Sequence, residues 1–375
     1  MKLSVIILNY NVRYFLEQCI YSVQEAIMSL DSEIIVVDNN SKDDSCAMIK
    51  NHFPDVILVE NKENLGFAKA NNQGVEMAKG EYVCILNPDT VVASDTFLKM
   101  IKKVEQLPEF GLVGPRLIDG TGNFLPESKR NIPSPLTSFR RLFGIKFGKV
   151  KSYYADHIEE TGIGDVDILV GAFFMSKRDA YLSIDGFDED YFMYGEDIDL
   201  SYKMKKIGLQ NYYLGDITAI HYKGESTDRN SVYIRRFYGA MRLFYKKHFK
   251  SNVVFDVLVS VAIRFLSVIH SLRSHSKGKR IIDQYFLVSE NDSIADKISI
   301  KLNTPVVKVT LESIPNLGDR NIEIIFDNDY ITYSQIINQM QLLKNDRFTF
   351  KIRPKNCNYI VGSDFSDGKG EVVIF

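Results

Sequence analysis

The chain has 375 residues, 45% of them hydrophobic and 25% charged, which is typical of a globular protein with room for one large domain and a smaller one. Its formal net charge of -2 argues against a general nucleic-acid-binding protein. The four cysteines lie far apart and lack the paired spacing of zinc ligands, which favours buried thiols in a reducing compartment.

The N-terminal segment predicts a cytoplasmic protein. The apolar run 3–8 is too short for the core of a signal peptide, and no small-residue cleavage site follows it. Uncharged apolar stretches elsewhere in the sequence are shorter than the length that spans a bilayer.

The first 90 residues alternate apolar strands with helical patterns. Such alternation predicts a parallel sheet with right-handed crossovers, and continuous apolar strands are buried on both faces. The predicted strands are 3–8, 34–37, 56–59 and 82–86, and helices are predicted at about 12–30, through 47–49 and over 71–78.

Polar residues end these strands, and we expect Asn9, Asp38 and Asp89 to meet at one edge of the sheet. Ligands bind at that edge in open α/β sheets. The sequence has neither the Gly-x-Gly-x-x-Gly fingerprint after the first strand nor a Gly-x-x-x-x-Gly-Lys loop. A nucleotide would therefore be held through Asp38 and through a cation on its phosphates. An Asn87-Pro88-Asp89 sequence is more often only a turn, but its aspartate can also bind a hard divalent cation.

Residues 124–164 form a looser stretch that contains Pro and many basic residues. A charge run of this kind is more often a solvated face, and the alternative is an acceptor-side flap that meets phosphates. The basic residues are Lys129, Arg130, Arg140, Arg141, Lys146, Lys149 and Lys151.

A strand-like run over 166–176 is followed by Tyr194-Gly195-Glu196-Asp197-Ile198-Asp199, which begins a helix through Met204. Capping and the helix dipole explain one or two of these acids. Glu196 and Asp197 suit proton abstraction, since a partly desolvated carboxylate beside an aromatic ring can have its basicity raised. His221 follows an apolar run and is expected in the same sheet as Asp89. A lone His there is usually structural, yet imidazole is also a metal ligand.

Six motifs together resemble a known family. They are Ser4–Asn11, Val37–Ser41, Asn64–Ala68 with Asn71, Asn87–Asp89, Gly186–Glu189 and Gly195–Leu200. In this order and spacing they resemble an inverting family 2 glycosyltransferase, most of all its rhamnosyltransferase-like bacterial branch. The resemblance covers about residues 1–250 and implies a GT-A fold, a Rossmann-like mixed sheet flanked by helices that is typical of nucleotide-diphospho-sugar transferases.

The resemblance also implies roles for individual residues. Asp38 would contact the nucleotide base with Tyr10 and the backbone near Leu8, and Asp89 and His221 would bind Mg2+ or Mn2+. Asp197 would be the catalytic base, with Glu196 beside it. The other donor-side residues would be Asn64, Gly66, Phe67, Asn71 and Asn87, and the acceptor-side residues would be Tyr194 and Asp199.

One position departs from the family pattern. Asn87 stands where the first acid of the Asp-x-Asp motif is expected. The variant recurs in the branch that the chain resembles, but it leaves one carboxylate fewer for the cation. Strict metal dependence is therefore an open question at the level of sequence.

The implied reaction is transfer of a sugar from a nucleotide donor to a glycan or polyprenyl-linked acceptor in cell-surface polysaccharide synthesis. The cation would neutralise the leaving diphosphate, and a carboxylate would take the proton of the acceptor hydroxyl, so that one displacement inverts the anomeric centre. Two alternatives remain. A sugar-nucleotide pyrophosphorylase would need a Gly-rich basic loop after the first strand, which residues 9–15 lack. A non-catalytic nucleotide-sugar or glycan-binding module would not need the acids at 196–197.

The last third of the sequence predicts a linker and a second unit. Residues 252–274 form an amphipathic helical pattern after a basic segment, which fits either packing between domains or contact with the anionic face of the inner membrane. A smaller α/β domain follows, for which a structural or partner-binding role is expected. We therefore predict a glycosyltransferase domain over 1–250, a linker over 251–278 and an α/β domain over 279–375.

Overall fold

A computed structural model describes residues 1–107, 109–133, 152–223, 231–249, 280–314, 320–365 and 369–375. The predicted linker with its amphipathic helix lies outside these residues. Within them, no helix has both the length and the apolar character needed to cross a bilayer.

The first unit is a mixed sheet flanked by helices, as the sequence predicted. Its strands in chain order are β1 (Leu3–Asn9), β2 (Ser32–Asp38), β3 (Ile57–Glu60), β4 (Tyr82–Leu86), β5 (Thr90–Val92), β6 (Phe110–Ile118), β7 (Ile163–Val166), β8 (Phe173–Lys177) and β9 (Gln210–His221). Its helices are α1 (Arg13–Ile27), α2 (Ser45–His52), α3 (Phe67–Met77), α4 (Thr96–Val104), α5 (Arg178–Ser183), α6 (Glu196–Lys206) and α7 (Ser231–His248).

The order of the strands is β3-β2-β1-β4-β8-β6-β9-β5, with β7 also paired to β9. The first four strands are parallel, and β8 joins them antiparallel to β4. Along β1, Ile7 packs into the core on one face of the sheet and Ile6 into the core on the other. Burial on both faces explains why these strands are continuously apolar.

Three features of this sheet were not predicted. The run 166–176 is divided between β7 and β8, because Gly171 and Ala172 lie in a loop between them. The apolar run before His221 belongs to one long strand, β9, whose pairing with β6 contains register shifts. Strands β5 and β6 and helix α4 had no predicted counterpart, and β5 pairs with the end of β9.

The second unit is a smaller α/β sheet, as predicted. Its strands run in the order β11-β10-β12-β13-β14-β15; the first four are parallel and the last two antiparallel. Because β10 lies between β11 and β12, the chain reverses its direction of winding at the carboxyl end of β10. The elements are β10 (Gln284–Val288), α8 (Asp292–Leu302), β11 (Val306–Val309), β12 (Ile322–Asp327), α9 (Tyr333–Leu343), β13 (Phe348–Arg353), β14 (Tyr359–Ser363) and β15 (Glu371–Ile374).

Candidate active site

The polar ends of β1 and β2 meet at one edge, as predicted. The Asn9 side chain donates a hydrogen bond of 2.7 Å to Asp38 Oδ1, and the backbone N–H of Ser41 donates one of 2.8 Å to Asp38 Oδ2. Asp38 is only 2% exposed. Its carboxylate is therefore held in one orientation at the carboxyl edge of the sheet. Beside it, Leu8 is half-buried and Tyr10 is exposed.

Asn39 organises the loop that follows β3, a role the sequence did not reveal. Its amide nitrogen donates to Asn64 Oδ1 at 3.2 Å and to the Gly66 carbonyl at 3.1 Å. Its amide oxygen accepts from the Asn61 side chain at 3.1 Å. The cluster of asparagines in the sequence is the signal that could have pointed to this network, because amides both donate and accept.

Gly66 joins this loop to the segment that precedes α6. Its φ of +85° favours glycine, and an added Cβ would lie 2.6 Å from the backbone oxygen of Phe192. That same oxygen accepts a 2.7 Å hydrogen bond from Phe67 N–H. Farther along α3, Asn71 is fully buried, and its Oδ1 has no hydrogen-bond partner among the described residues.

The Asn87-Pro88-Asp89 turn lies against the end of β9. Asp89 Oδ1 is 3.4 Å from His221 Nε2, and Asn87 Nδ2 is also 3.4 Å from that nitrogen. The register that pairs Thr90 with His221 produces this contact. The structure therefore brings together the two predicted metal ligands, which lie in the same sheet as expected.

The donor set at this turn fits a divalent cation. Asp89 is 5% exposed and His221 7% exposed, and in the described part of the chain the Nδ1 of His221 has no hydrogen-bond partner. One carboxylate and one imidazole suit Mn2+ or Mg2+ when phosphate oxygens and water complete the coordination. The neighbouring Glu127 forms an ion pair with Lys223. Burial opposes ionisation of Glu127, but Lys223 outweighs it and lowers the pKa of this carboxyl.

Asp197 forms a buried ion pair with Arg130. The Arg130 Nη2 atom is 2.5 Å from Asp197 Oδ2 and also donates to the Leu169 carbonyl at 2.8 Å. The Gly171 N–H donates to the same carboxylate oxygen at 3.1 Å. Burial alone would lower the pKa of the guanidinium, but the Asp197 carboxylate outweighs it and raises that pKa.

This pair corrects the expectation of a solvated basic face. Arg130 and Lys129 are both buried, and Lys129 Nζ donates to the carbonyls of Ala155, at 3.0 Å, and of Ile158. Charged side chains that point inward need partners, and here an acid and backbone carbonyls supply them. The remaining basic residues of the predicted run, Arg140, Arg141, Lys146, Lys149 and Lys151, lie outside the described residues.

Glu196 differs from its neighbour Asp197. It is 6% exposed, and its Oε2 lacks a hydrogen-bond partner among the residues described. Burial, followed by the charge of Asp197, raises the pKa of Glu196 to about 8. The raised basicity inferred from the sequence for this pair of acids is therefore found at Glu196.

The two predicted acceptor-side residues occupy different environments. Tyr194 is half-buried, adopts φ of +72° and lies edge-on to Phe237, with 6.3 Å between ring centroids. Asp199 is fully buried, and its Oδ1 is 2.5 Å from His248 Nε2. This burial places Asp199 behind the site, where it connects α6 to α7.

Gly171 and Ala172 connect the donor side to Asp197. A Cβ added to Gly171 would lie 3.2 Å from Asp197 Cβ and 3.8 Å from the Phe67 ring. The adjacent Ala172 carbonyl accepts a 2.8 Å hydrogen bond from the N–H of Asn87. The loop between β7 and β8 therefore places the Asn-Pro-Asp turn, the donor loop and the pair of acids around one site.

The carboxyl edge of the second sheet is arranged differently. Asp327 accepts hydrogen bonds from Ser289 at 2.6 Å and from Arg353 at 2.7 Å, so both of its oxygens have partners. Helix α1 covers the edge: Tyr14 packs against Tyr359 with 4.8 Å between ring centroids, and the Tyr359 hydroxyl donates to the Tyr14 carbonyl at 3.3 Å. This edge is closed by the chain itself.

Asp364 directly follows β14. Because β14 runs antiparallel to β13, Asp364 lies at the opposite edge. There Asp364, Glu323 and Glu371 surround the buried Lys351, whose Nζ is 3.0 Å from Glu371 and 3.5 Å from Asp364. The side-chain ammonium group of Lys351 already occupies the position where these three acids could have held a metal.

Comparison with known proteins shows what the first unit is similar to. Residues 4–181 match the model of glycosyl transferase family 2. The chain is 28% identical over 243 residues to an N-acetylglucosaminyl-diphospho-decaprenol L-rhamnosyltransferase of Mycobacterium tuberculosis, covering 61% of this chain and 78% of that protein. It is 29% identical over 211 residues to the rhamnosyltransferase WbbL of Escherichia coli, covering 52% and 76%.

Solved structures of glycosyltransferases are also similar at low identity. Staphylococcus aureus TarS has 16% identity and a TM-score of 0.46, with 70% of this chain and 71% of that chain covered. A mannosyltransferase from Pyrobaculum calidifontis, solved with GDP-Man and Mn2+, has 18% identity and a TM-score of 0.47, with 74% and 76% covered.

Proposed function

We propose that this chain, a glycosyltransferase with a family 2 domain, transfers a sugar from a nucleoside diphosphate to a lipid-linked glycan with inversion. One observation carries the proposal: a single site contains a fixed carboxylate at Asp38, the Asp89–His221 pair and Asp197 in contact with Arg130. These are the groups needed for a nucleoside, a diphosphate and an acceptor hydroxyl.

On the donor side, Asp38 accepts a hydrogen bond from the nucleotide base or ribose, beside Tyr10 and the backbone at Leu8. Loop 64–67, held by Asn39, forms the wall of the pocket. Asn71 and Asn87 offer further polar contacts. The unpaired Oδ1 of Asn71 supports this assignment, because a buried acceptor without a partner is costly unless a ligand satisfies it.

Asp89 and His221 would hold Mg2+ or Mn2+ on the diphosphate. A cation there would neutralise charge on the leaving group as a Lewis acid. His221 contributes its Nε2, which faces Asp89 at 3.4 Å. Asn87 is within reach of the same nitrogen but offers no charge, and we therefore expect weaker binding of the metal alone than of the metal together with the donor.

Asp197 acts as the general base, and Arg130 positions it. The acceptor hydroxyl oxygen forms a bond to the anomeric carbon while the bond from that carbon to the diphosphate oxygen breaks, and the hydroxyl proton passes to Asp197. The ion pair with Arg130 and the hydrogen bond from Gly171 N–H hold the carboxylate in a fixed orientation before the acceptor arrives. Glu196 and Tyr194 shape the surroundings of the base.

The relatives favour a particular donor and acceptor. Both similar enzymes are named rhamnosyltransferases, and the mycobacterial enzyme is named for a diphospho-decaprenol acceptor. We therefore expect an L-rhamnosyl or similar hexosyl donor and a polyprenyl-diphosphate-linked acceptor. Such an acceptor lies in a membrane, so action at the cytoplasmic face of the inner membrane is part of this proposal.

The experiment measures donor binding and hydrolysis across nucleotide sugars. dTDP-rhamnose, UDP-glucose, UDP-galactose, UDP-N-acetylglucosamine and GDP-mannose are each tested for thermal stabilisation and for release of the nucleotide, with Mn2+, Mg2+ or EDTA. We expect one donor to register, most strongly dTDP-rhamnose, and its effect to disappear with EDTA and in Asp89→Ala. Asp55→Ala, a change at an exposed aspartate, is the matched control and keeps the effect.

Two outcomes contradict the proposal. Failure of every nucleotide sugar with every cation would remove the donor assignment. A donor effect that survives both EDTA and Asp89→Ala would remove the metal role of the turn while leaving a transferase that does not need a cation.

A further inference from the structure

The C-terminal unit covers one face of the β5/β9 strand pair. Val91, Ile220 and Tyr222 share a buried apolar cluster with residues of α9 and of the second sheet. The intervening residues Val92 and Ala219 point into the core of the first unit. Because side chains alternate along a strand, the pair is packed between the two units. From the C-terminal unit, this cluster includes Phe286, Val288, Ile324, Phe326, Ile331, Tyr333, Ile336, Ile337 and Met340.

Polar contacts fix the same interface. Ser334, in α9, accepts a 3.0 Å hydrogen bond from the N–H of Ser94, and the two hydroxyl oxygens are 2.6 Å apart. Arg116, in β6, donates to the side chain of Gln341. At Gly122 the chain passes so close to α9 that an added Cβ would lie 2.5 Å from the Met340 carbonyl oxygen.

The covered residues adjoin the two predicted metal ligands. Val91 lies two positions after Asp89, and Tyr222 directly follows His221. The N–H of Tyr222 donates a 3.0 Å hydrogen bond to the Asp89 carbonyl, which couples the two segments. The Tyr222 ring also packs edge-on against Phe15 of α1, with 5.2 Å between centroids. A shift of β5 or of the end of β9 would therefore move both ligands.

In this arrangement α1 covers the edge of the C-terminal unit at which a ligand would be expected to bind. Doubly wound units bind ligands where the winding reverses, at the carboxyl ends of the strands. In this unit Cys357 and Tyr359, beside that edge, contact Tyr21 and Tyr14 on α1. Both oxygens of Asp327 already have partners. These contacts favour a docked, supporting unit over a second ligand-binding domain.

We infer that residues 280–375 are a positioning element of the transferase site, because they hold the β5/β9 pair and so fix Asp89 relative to His221. The inference rests on the proposed function in its account of the metal, but the structural support can be tested without activity. The expected consequence is that damage at this interface loosens the strand pair and weakens cation binding, whereas equal damage elsewhere in the unit does neither.

Two isoleucines of the C-terminal unit provide a matched comparison. Ile337, in α9, is buried at the interface and lines a small cleft with Ala93 and Ile217. Ile298, in α8, is buried on the far side of the second sheet. Ile337→Ala and Ile298→Ala delete the same atoms from the same unit. Ser334→Ala is a milder third variant, which removes the contact with Ser94 without making a cavity.

Two measurements on the full chain read the outcome. Amide hydrogen exchange over residues 88–94 and 216–222 should become about tenfold faster in Ile337→Ala and stay unchanged in Ile298→Ala. Titration with Mn2+ alone, followed by the electron spin resonance of the free ion, should show binding weakened about tenfold in Ile337→Ala only. Ser334→Ala should change the exchange rate and the affinity for Mn2+ in the same direction, but by less than Ile337→Ala does.

The results separate this inference from the proposed function. Equal exchange rates in the two isoleucine variants would overturn the inference, whatever the enzyme binds. Faster exchange in Ile337→Ala, in a protein whose wild type binds no Mn2+, would keep the supporting role and remove the metal from the proposed function.

Discussion

The carboxyl edges of the two sheets have similar topology but different chemistry. Both receive parallel strands that end in polar side chains. At the first edge, several buried polar atoms have no partner within the described residues: Asn71 Oδ1, His221 Nδ1, Glu196 Oε2 and Asn9 Oδ1. At the second edge, Asp327 has partners for both oxygens, and helix α1 lies over the strand ends. Arg353 Nε is unpartnered there, but its guanidinium is bound to Asp327 and Asp329.

This difference distinguishes an edge that can bind a ligand from an edge that only supports the fold. A buried polar group without a partner costs about 1–3 kcal/mol, and such groups persist where a ligand can satisfy them. The first edge retains several of them. At the second edge helix α1 covers the strand ends; the pairing of both Asp327 oxygens is not by itself the difference, because both Asp38 oxygens at the first edge are also paired. Topology alone therefore does not locate function; unpartnered polar atoms at uncovered strand ends do.

Asp197→Asn should have the largest effect, because it removes the proposed base at the edge of the first sheet, which is called the open edge below; the second edge, covered by α1, is called the closed edge. We expect kcat to fall by about 10²–10⁴-fold, because an amide cannot take the proton of the acceptor hydroxyl. Donor-induced thermal stabilisation should persist, since Asp38 and the Asp89–His221 pair are untouched. The comparison variant is Asp190→Asn, whose exposed carboxylate pairs with Lys247 outside the site.

The same variant tests the alternative functions. A non-catalytic binding module predicts no turnover in the wild type and equal donor binding in both proteins. A variant that retains wild-type turnover would remove Asp197 from the mechanism. Loss of both turnover and donor binding would indicate that the unpaired Arg130 had disrupted the fold, and Arg130→Lys would then test whether a shorter cation restores it.

Arg353→Met should have the next largest effect, on stability and not on catalysis. The change leaves Asp327 buried with one fewer partner and should lower the free energy of unfolding by about 3 kcal/mol, as measured by urea denaturation. The KM for the donor should change by less than about threefold, because the closed edge binds no substrate. Asp327→Asn in the same chain should recover part of the loss, since no uncompensated charge remains.

An opposite result would reclassify the second edge. If Arg353→Met left stability unchanged and raised the donor KM, the edge beneath α1 would take part in binding. The distinction between an open and a closed edge would then fail for this molecule.

Much of the donor edge was predictable from local sequence. Continuous apolar runs fixed β1, β2 and β4, and the residue that ends each run fixed the positions of Asn9, Asp38 and Asn87. These are consequences of the alternation of strands and helices, which is visible in the sequence alone. Asp89 and His221 were expected in one sheet, but their contact depends on the pairing of β5 with β9, which was not predicted.

Other features depend on contacts between residues distant in sequence. Arg130 and Asp197 are 67 positions apart, and a basic run looks the same whether its members point outward or inward. The closing of the second edge depends on a helix that begins at Arg13. The capping interpretation also could not distinguish Glu196 from Asp197, because their difference lies in which of them meets a guanidinium.

Glu196→Gln should have the smallest effect of the three at low pH, and it sharpens the comparison by replacing one unsatisfied carboxylate oxygen of the first edge with a neutral amide group. Burial, then the charge of Asp197, raises the pKa of Glu196 to about 8 in the native state, above the usual value of 4.5. Between pH 4.5 and 8 the unfolded chain therefore releases a proton that the native chain retains. The stability of the wild type falls across this window as the pH rises, because the unfolded state binds fewer protons.

The glutamine variant has no such proton to lose. Its stability relative to the wild type should therefore be near zero at pH 4.5 and rise to on the order of 4 kcal/mol by pH 8, then level off. Urea unfolding at several pH values measures the difference, with the exposed Glu76→Gln as a control whose difference stays flat. Turnover should remain within about tenfold of wild type, because Asp197 and not Glu196 takes the proton. A variant as inactive as Asp197→Asn would instead assign the base to Glu196, whose pKa lies nearer to the working pH.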